Sequence, residues 1–149
     1  MTETKKVSDE LTVAGQVTSQ QLEQAAQEGF KSVLNLRSPD ELGFLSDERQ
    51  QAEAVGLQYA NVPLWSSKAN QELTKEAIQK LDNLPKPVLI HCAAGARAGG
   101  IALIATAIQA GLTYEEITEK AGELGINLDQ PQLKQFLQDN YPGIAAHQS

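Results

Sequence analysis

Apolar and polar positions change period several times along the chain, and each change marks the edge of a strand-like or a helix-like segment. Residues 11–13 (LTV) read as a short first strand, followed by a helix over 19–28. Thr18 stands at the N-cap of that helix with Gln21 at the capping-box position, and Gly29 ends it. Residues 31–36 (KSVLNL) form a β-run that empties into the loop Arg37-Ser38-Pro39-Asp40-Glu41. A helix over 47–55 stops at Gly56, and 57–62 (LQYANV) alternates as a strand that Pro63 closes. After a loop through Asn70, a helix is expected over 74–83, and Pro85 and Pro87 break the chain before the apolar strand 88–91. Residues 98–110 are apolar on every face, as in a central helix packed on both sides. Thr113-Tyr114-Glu115-Glu116 is a capping box that starts another helix, and Asp129 is placed as the cap of a last one.

The order β-α-β-α-β-α-β-loop-α-α-α predicts an α/β fold, a central and mostly parallel sheet of four to five strands flanked by helices. At 149 residues with 41% apolar content the chain fits one domain, with 1–10 and 143–149 as flexible tails. A net charge of −7 and the lack of a basic cluster disfavour nucleic acid and membrane surfaces as partners. The apolar run 101–110 is too short to cross a bilayer and reads as core, and MTETKKVSDE has no apolar leader, so a cytoplasmic location is expected. One cysteine excludes an intramolecular disulfide, and with only His91 and His147 available neither a metal nor another cofactor is expected. The charged runs 47–53 and 74–82 read as solvated helix faces, and nothing in the sequence sets an oligomeric state.

The chemistry concentrates where strand 88–91 delivers Cys92. A strand, a loop of small residues and a helix opening near Arg97 gather several backbone N–H groups around one point, a concavity suited to a compact anion. Ala93, Ala94, Gly95, Ala96 and Ala98 are small enough for the backbone to approach such a ligand, and Arg97 adds a planar, permanently charged fork. The helix dipole and Arg97 both favour the thiolate form of Cys92, a ready nucleophile. His91 alternates away from Cys92 along the strand, so its expected role is to hold the loop by hydrogen bonds. Arg37 stands open between a second anion contact and a surface ion pair, and Trp65 between lining a pocket and covering the sheet end.

These residues resemble the signature of the protein tyrosine and dual-specificity phosphatases, His-Cys, five residues, Arg, then Ser or Thr. Here four residues intervene between Cys92 and Arg97. HCAAGARA, with VAGQVTSQQL, GFKSVLNLRSPDE and GLQYANVPL, is more closely similar to small bacterial phosphatase-like domains called beta-lactamase hydrolase-like, some fused to metallo-β-lactamase-fold persulfide dioxygenases. The four-residue loop is typical of that family, and the resemblance covers roughly residues 7–110. It implies a cysteine-phosphatase-like fold, Cys92 as a nucleophile forming a thiophosphate, Arg97 as the phosphate clamp, and the backbone of Ala93 to Ala98 as the cradle.

Two of the phosphatase roles have no obvious occupant. The loop that carries the general-acid Asp in true phosphatases reads Pro63-Leu64-Trp65-Ser66-Ser67, and Ala98 and Gly99 follow Arg97 where a hydroxyl is expected. Asp40 and Glu41 are the nearest substitutes, since a loop at the C-terminal edge of a parallel strand shares the rim with Cys92; Asp40 is the candidate acid, with turn capping as its alternative role. The segment also fits the rhodanese form Cys-x-x-Gly-x-Arg, in which Cys92 carries a persulfide and no acid is needed. A third reading keeps the cradle as a non-catalytic anion-binding module. The expected partner is therefore a phosphate- or sulfur-containing anion.

Overall fold

The computed structural model describes residues 4–64 and 70–141. Its elements follow one another as β1 (Thr4–Lys6), β2 (Leu11–Ala14), α1 (Ser19–Gln27), β3 (Ser32–Asn35), α2 (Glu48–Ala54), β4 (Gln58–Asn61), α3 (Gln71–Asn83), β5 (Val88–His91), α4 (Ala96–Ala110), α5 (Tyr114–Leu124) and α6 (Pro131–Asn140). The sheet order is β1-β2-β5-β3-β4, with β2, β5, β3 and β4 mutually parallel and β1 antiparallel at the edge. This is the expected mostly parallel sheet flanked by helices, at five strands.

β5 lies in the middle of the sheet, between β2 and β3, and all four of its residues are buried. Covered on both faces, it can be continuously apolar. Side-chain alternation sends Val88, Ile90 and Cys92 into a core shared with α3, α4, α5 and α6, and Leu89 into a second core under α1 and α2. α4 buries Arg97 through Ile104 and Ala107, which explains its apolar character on every side. Among the described residues no helix is long and apolar enough to cross a membrane.

Both predicted capping boxes are present. Gln21 N–H donates to Thr18 Oγ1 (3.2 Å) and Thr18 N–H to Gln21 Oε1 (2.7 Å); Thr113 and Glu116 make the same exchange at 3.1 and 2.9 Å. Other boundaries differ. Residues 4–6, expected within a tail, form β1: TKK has no apolar position to announce a strand, and its main chain pairs with β2. α3 starts at Gln71 because Asn70 accepts from Leu73 N–H at 3.1 Å. α6 starts at Pro131 behind Gln130, and no side chain caps it. Asp129 instead donates its own N–H to Asn127 Oδ1 at 2.8 Å, and proline at the first helical position needs no partner for a missing donor. The 143–149 tail lies outside the described residues.

Candidate active site

β5 sets Cys92 at the C-terminal edge of the sheet, where ligands of parallel α/β folds bind. Two glycines shape the loop that follows. Gly95, the N-cap of α4, has φ +101°, a conformation L side chains rarely adopt. A Cβ on Gly15 would lie 3.0 Å from the Ala93 carbonyl oxygen, which also accepts from Gln16 N–H at 3.0 Å. The loop is thereby docked against the end of β2. Cys92 is 1% exposed, and its Sγ accepts from Gly95 N–H (3.1 Å) and Ala98 N–H (3.4 Å). The N–H groups of Ala93, Ala94, Ala96 and Arg97 have no hydrogen-bond partner among the described residues, and Ala93, Ala94 and Ala96 are exposed. A ring of free donors beside a sulfur atom is chemically a receptor for an oxyanion.

Arg97 is 8% exposed, and its donors can be accounted for one by one. Nη1 donates to Glu41 Oε2 (2.7 Å) and to the Leu64 carbonyl (2.8 Å), with the Leu36 carbonyl farther off at 3.4 Å. Nη2 donates one hydrogen to Glu41 Oε1 at 2.9 Å. A guanidinium has five N–H bonds in one plane, so the second Nη2 hydrogen and the Nε hydrogen remain, side by side on the other edge. That edge has the shape of a bidentate fork, and among the described residues the Cys92 sulfur is the remaining group with which the guanidinium interacts. The Glu41 carboxylate raises the Arg97 pKa above its ordinary value, and the adjacent Cys92 sulfur adds to the effect.

Glu41 comes to Arg97 from a turn in which its N–H donates to the Ser38 carbonyl (3.0 Å) and its Oε2 accepts from Ser38 N–H (2.7 Å). Hydrogen bonding from Arg97, above all, lowers its carboxyl pKa from 4.5 to about 2, against the opposing effect of burial; Ser38 N–H and Arg37 add to the lowering. Glu41 is therefore ionised at neutral pH and has no proton to give. A depressed carboxylate pKa adds stability that is complete above the unfolded value and is lost as pH falls through the folded one. Between pH 4.5 and about 2, urea unfolding of the wild type should lose stability that Glu41→Gln does not lose. Parallel acid profiles of the two proteins would remove this coupling.

Asp40 lies one residue away, exposed, and its carboxylate accepts no hydrogen bond among the described residues. It does not cap the turn: Ser38 Oγ accepts from Asp40 N–H at 3.3 Å, and Glu41 supplies the other side-chain contact. Of the two expected roles Arg37 takes the ion pair, with Glu41, but in the interior and not on the surface. It is buried, and its guanidinium is spent on Glu41 Oε1 (3.2 Å), Gln16 Oε1 (2.8 Å) and the carbonyls of Gly43 (3.1 Å) and Leu42 (2.6 Å). It fixes the loop that carries Glu41.

His91 points to the opposite face from Cys92, as its position in β5 requires. Its Nδ1 lies 3.4 Å from the Cys92 carbonyl, and its Nε2 lies 2.5 Å from Glu48 Oε2. Glu48, the first residue of α2, is completely buried, although its segment reads in sequence as a solvated charged face. Its spacing to Ala52, on the same inward face, was the available signal: an i,i+4 pair that places the carboxylate where an apolar residue is expected. No hydroxyl follows Arg97, because Ala98 is buried and a Cβ on Gly99 would meet Ile126 Cγ1 at 3.1 Å. Trp65, Ser66 and Ser67 lie outside the described residues. Among the described residues no group of three His, Cys, Asp or Glu could hold a metal ion.

A family profile described as "Beta-lactamase hydrolase-like protein, phosphatase-like domain" matches residues 3–109. The chain belongs to this family. A beta-lactamase hydrolase-like protein of Agrobacterium fabrum is 25% identical over 127 residues, 83% of this chain and 29% of the relative, so the chain spans under a third of that protein's length. The solved structure of Tk-PTP in its active form superposes with a TM-score of 0.72 at 19% identity, over 96% of each chain. The catalytic core of the PP-IP phosphatase SIW14 from S. cerevisiae, in complex with citrate, superposes with a TM-score of 0.71 at 19% identity, over 97% of this chain and 91% of that one. The family's fold is thus that of the protein-tyrosine-phosphatase-like proteins, and its phosphatase-like designation directs attention to the Cys92 loop.

Proposed function

We propose that this chain hydrolyses phosphate monoesters through a covalent Cys92 intermediate. The observation behind it is the setting of Cys92 Sγ: it accepts from Gly95 and Ala98 N–H, interacts with the Arg97 guanidinium, and sits at the start of a loop whose Ala93, Ala94, Ala96 and Arg97 amides have no partner among the described residues. Such donors suit the non-bridging oxygens of a phosphoryl group placed beside the sulfur. The thiolate attacks phosphorus, the S–P bond forms, and the P–O bond to the leaving group breaks with its electron pair going to that oxygen. Water then attacks phosphorus, breaks the S–P bond and releases inorganic phosphate and the thiolate.

The leaving oxygen needs a proton, and Glu41 has none to give. Asp40, on the same loop and with a carboxylate that has no partner among the described residues, is the proposed acid. General acid catalysis is worth about 10²- to 10⁴-fold, so Asp40→Asn should slow hydrolysis of an alkyl phosphate by that order while changing p-nitrophenyl phosphate far less. Equal effects on the two substrates, or none, would remove Asp40 from this role. The proposed substrate class, phosphorylated compounds, agrees with SIW14 being a PP-IP phosphatase.

The sulfur-transfer alternative draws on the Cys-x-x-Gly-x-Arg form of the loop and on its independence from any acid. Wild type assayed in parallel with p-nitrophenyl phosphate and with thiosulfate plus cyanide separates the two. Phosphate release without thiocyanate is expected. Thiocyanate without phosphate would replace this reading with a sulfurtransferase, and neither product would leave an anion-binding module.

A further inference from the structure

Buried and half-buried polar groups around the loop join into one hydrogen-bonded chain. From the Cys92 carbonyl it passes to His91 Nδ1 (3.4 Å), then from His91 Nε2 to Glu48 Oε2 (2.5 Å). Gln16 Nε2 donates to Glu48 Oε1 (2.7 Å), and Arg37 Nη1 donates to Gln16 Oε1 (2.8 Å). Arg37 Nε donates to Glu41 Oε1 (3.2 Å), and Glu41 in turn accepts from Arg97 Nη1 and Nη2 (2.7 and 2.9 Å). Among the described residues no buried side-chain nitrogen or oxygen is left without a partner.

We infer that Glu48 is a positioning residue for the Cys92–Arg97 machinery: its buried carboxylate ties the nucleophile's strand end, through His91, to the arginine clamp, through Gln16 and Arg37. Three consequences of the geometry support this. His91 Nδ1 lies 3.4 Å from the carbonyl of Cys92, where the loop departs from the strand. Gln16, whose side chain Glu48 holds, anchors the Ala93 carbonyl through its own N–H. The same Gln16 side chain continues to Arg37, which fixes the 41–43 turn. Both walls of the cradle are therefore linked through one carboxylate, although Gln16 Nε2 also donates to the Val17 carbonyl (2.8 Å).

The position is also costly. A fully buried carboxylate loses its hydration, and a packed apolar side chain of similar volume is commonly as stable or more so. Stability alone gives no reason for a charge on the inward face of α2 beside Ala52. A satisfied polar network does give one, since it holds its members in a single arrangement.

The inference rests on the phosphatase reading for its purpose but can be tested without turnover. Wild type, Glu48→Gln and Glu48→Leu are compared in thiolate absorbance at neutral pH, which reports Cys92 alone because it is the only cysteine. Cys92→Ser serves as the blank. Affinity for inorganic phosphate, kcat and KM for p-nitrophenyl phosphate, and urea midpoints complete the set. Glu48→Gln keeps the shape and removes the charge, so it is expected to fold, to change the thiolate signal, and to lose about 10- to 100-fold in kcat/KM, mainly in kcat. Thiolate absorbance and phosphate affinity equal to wild type in folded Glu48→Gln would overturn the inference and leave the phosphatase reading standing. Altered thiolate absorbance and phosphate affinity in a protein whose wild type releases no phosphate would uphold Glu48 and overturn the reaction.

Discussion

Cys92→Ser is expected to lower phosphate release from p-nitrophenyl phosphate on the order of 10⁴- to 10⁶-fold, the scale seen when a covalent nucleophile is removed. Serine keeps an oxygen where sulfur stood, but a hydroxyl is far less ionised than a thiol, and among the described residues no base bonds to it: the neighbouring Arg97 is a cation and Glu41 is committed to that arginine. Binding should survive, because the anion's contacts belong to the Arg97 edge and the loop amides and not to the sulfur. Inorganic phosphate should bind the variant as tightly as wild type in a calorimetric titration. A variant that still turns over, or that loses phosphate binding together with activity, would show that Cys92 is part of the receptor and not the attacking group.

Arg97→Lys should rank second, with kcat/KM falling about 10²- to 10³-fold, as when an oxyanion donor is lost from a preorganised site. The charge is retained, so a purely electrostatic role would be largely preserved. What disappears is planarity. One ammonium cannot serve Glu41, the Leu64 carbonyl and two phosphate oxygens at once. Phosphate affinity should fall with kcat/KM, and Glu41, stripped of its paired donors, should titrate closer to 4.5. Retention of most activity in this variant would mean that charge, and not the fork, is what the site requires.

Much of the candidate site's geometry could be read from the chain because its signals are local. The strand-Cys-small loop-Arg-helix sequence fixes the cradle within a few residues of chain, and β alternation alone carries His91 away from Cys92. Capping boxes at Thr18 and Thr113 are likewise local hydrogen-bond patterns. The unread features are those made by distant segments or by backbone alone. Glu41 and Arg97 are 56 residues apart, and only the parallel register of β3 and β5 brings their loops together. Glu48 is 43 residues from His91 and lies in a segment of charged residues whose exposed members conceal the one that turns inward. β1 has no apolar side chain, so only its pairing with β2 reveals it.

A phosphoryl group carried on Cys92 is detected by rapid acid quenching of wild type during turnover of p-nitrophenyl phosphate, followed by peptide mass spectrometry. The prediction is one phosphoryl group on the peptide containing Cys92, present during turnover and absent once substrate is consumed. Phosphate release with no modified Cys92 at any time, or a sulfane sulfur on Cys92 in place of the phosphoryl group, would contradict it.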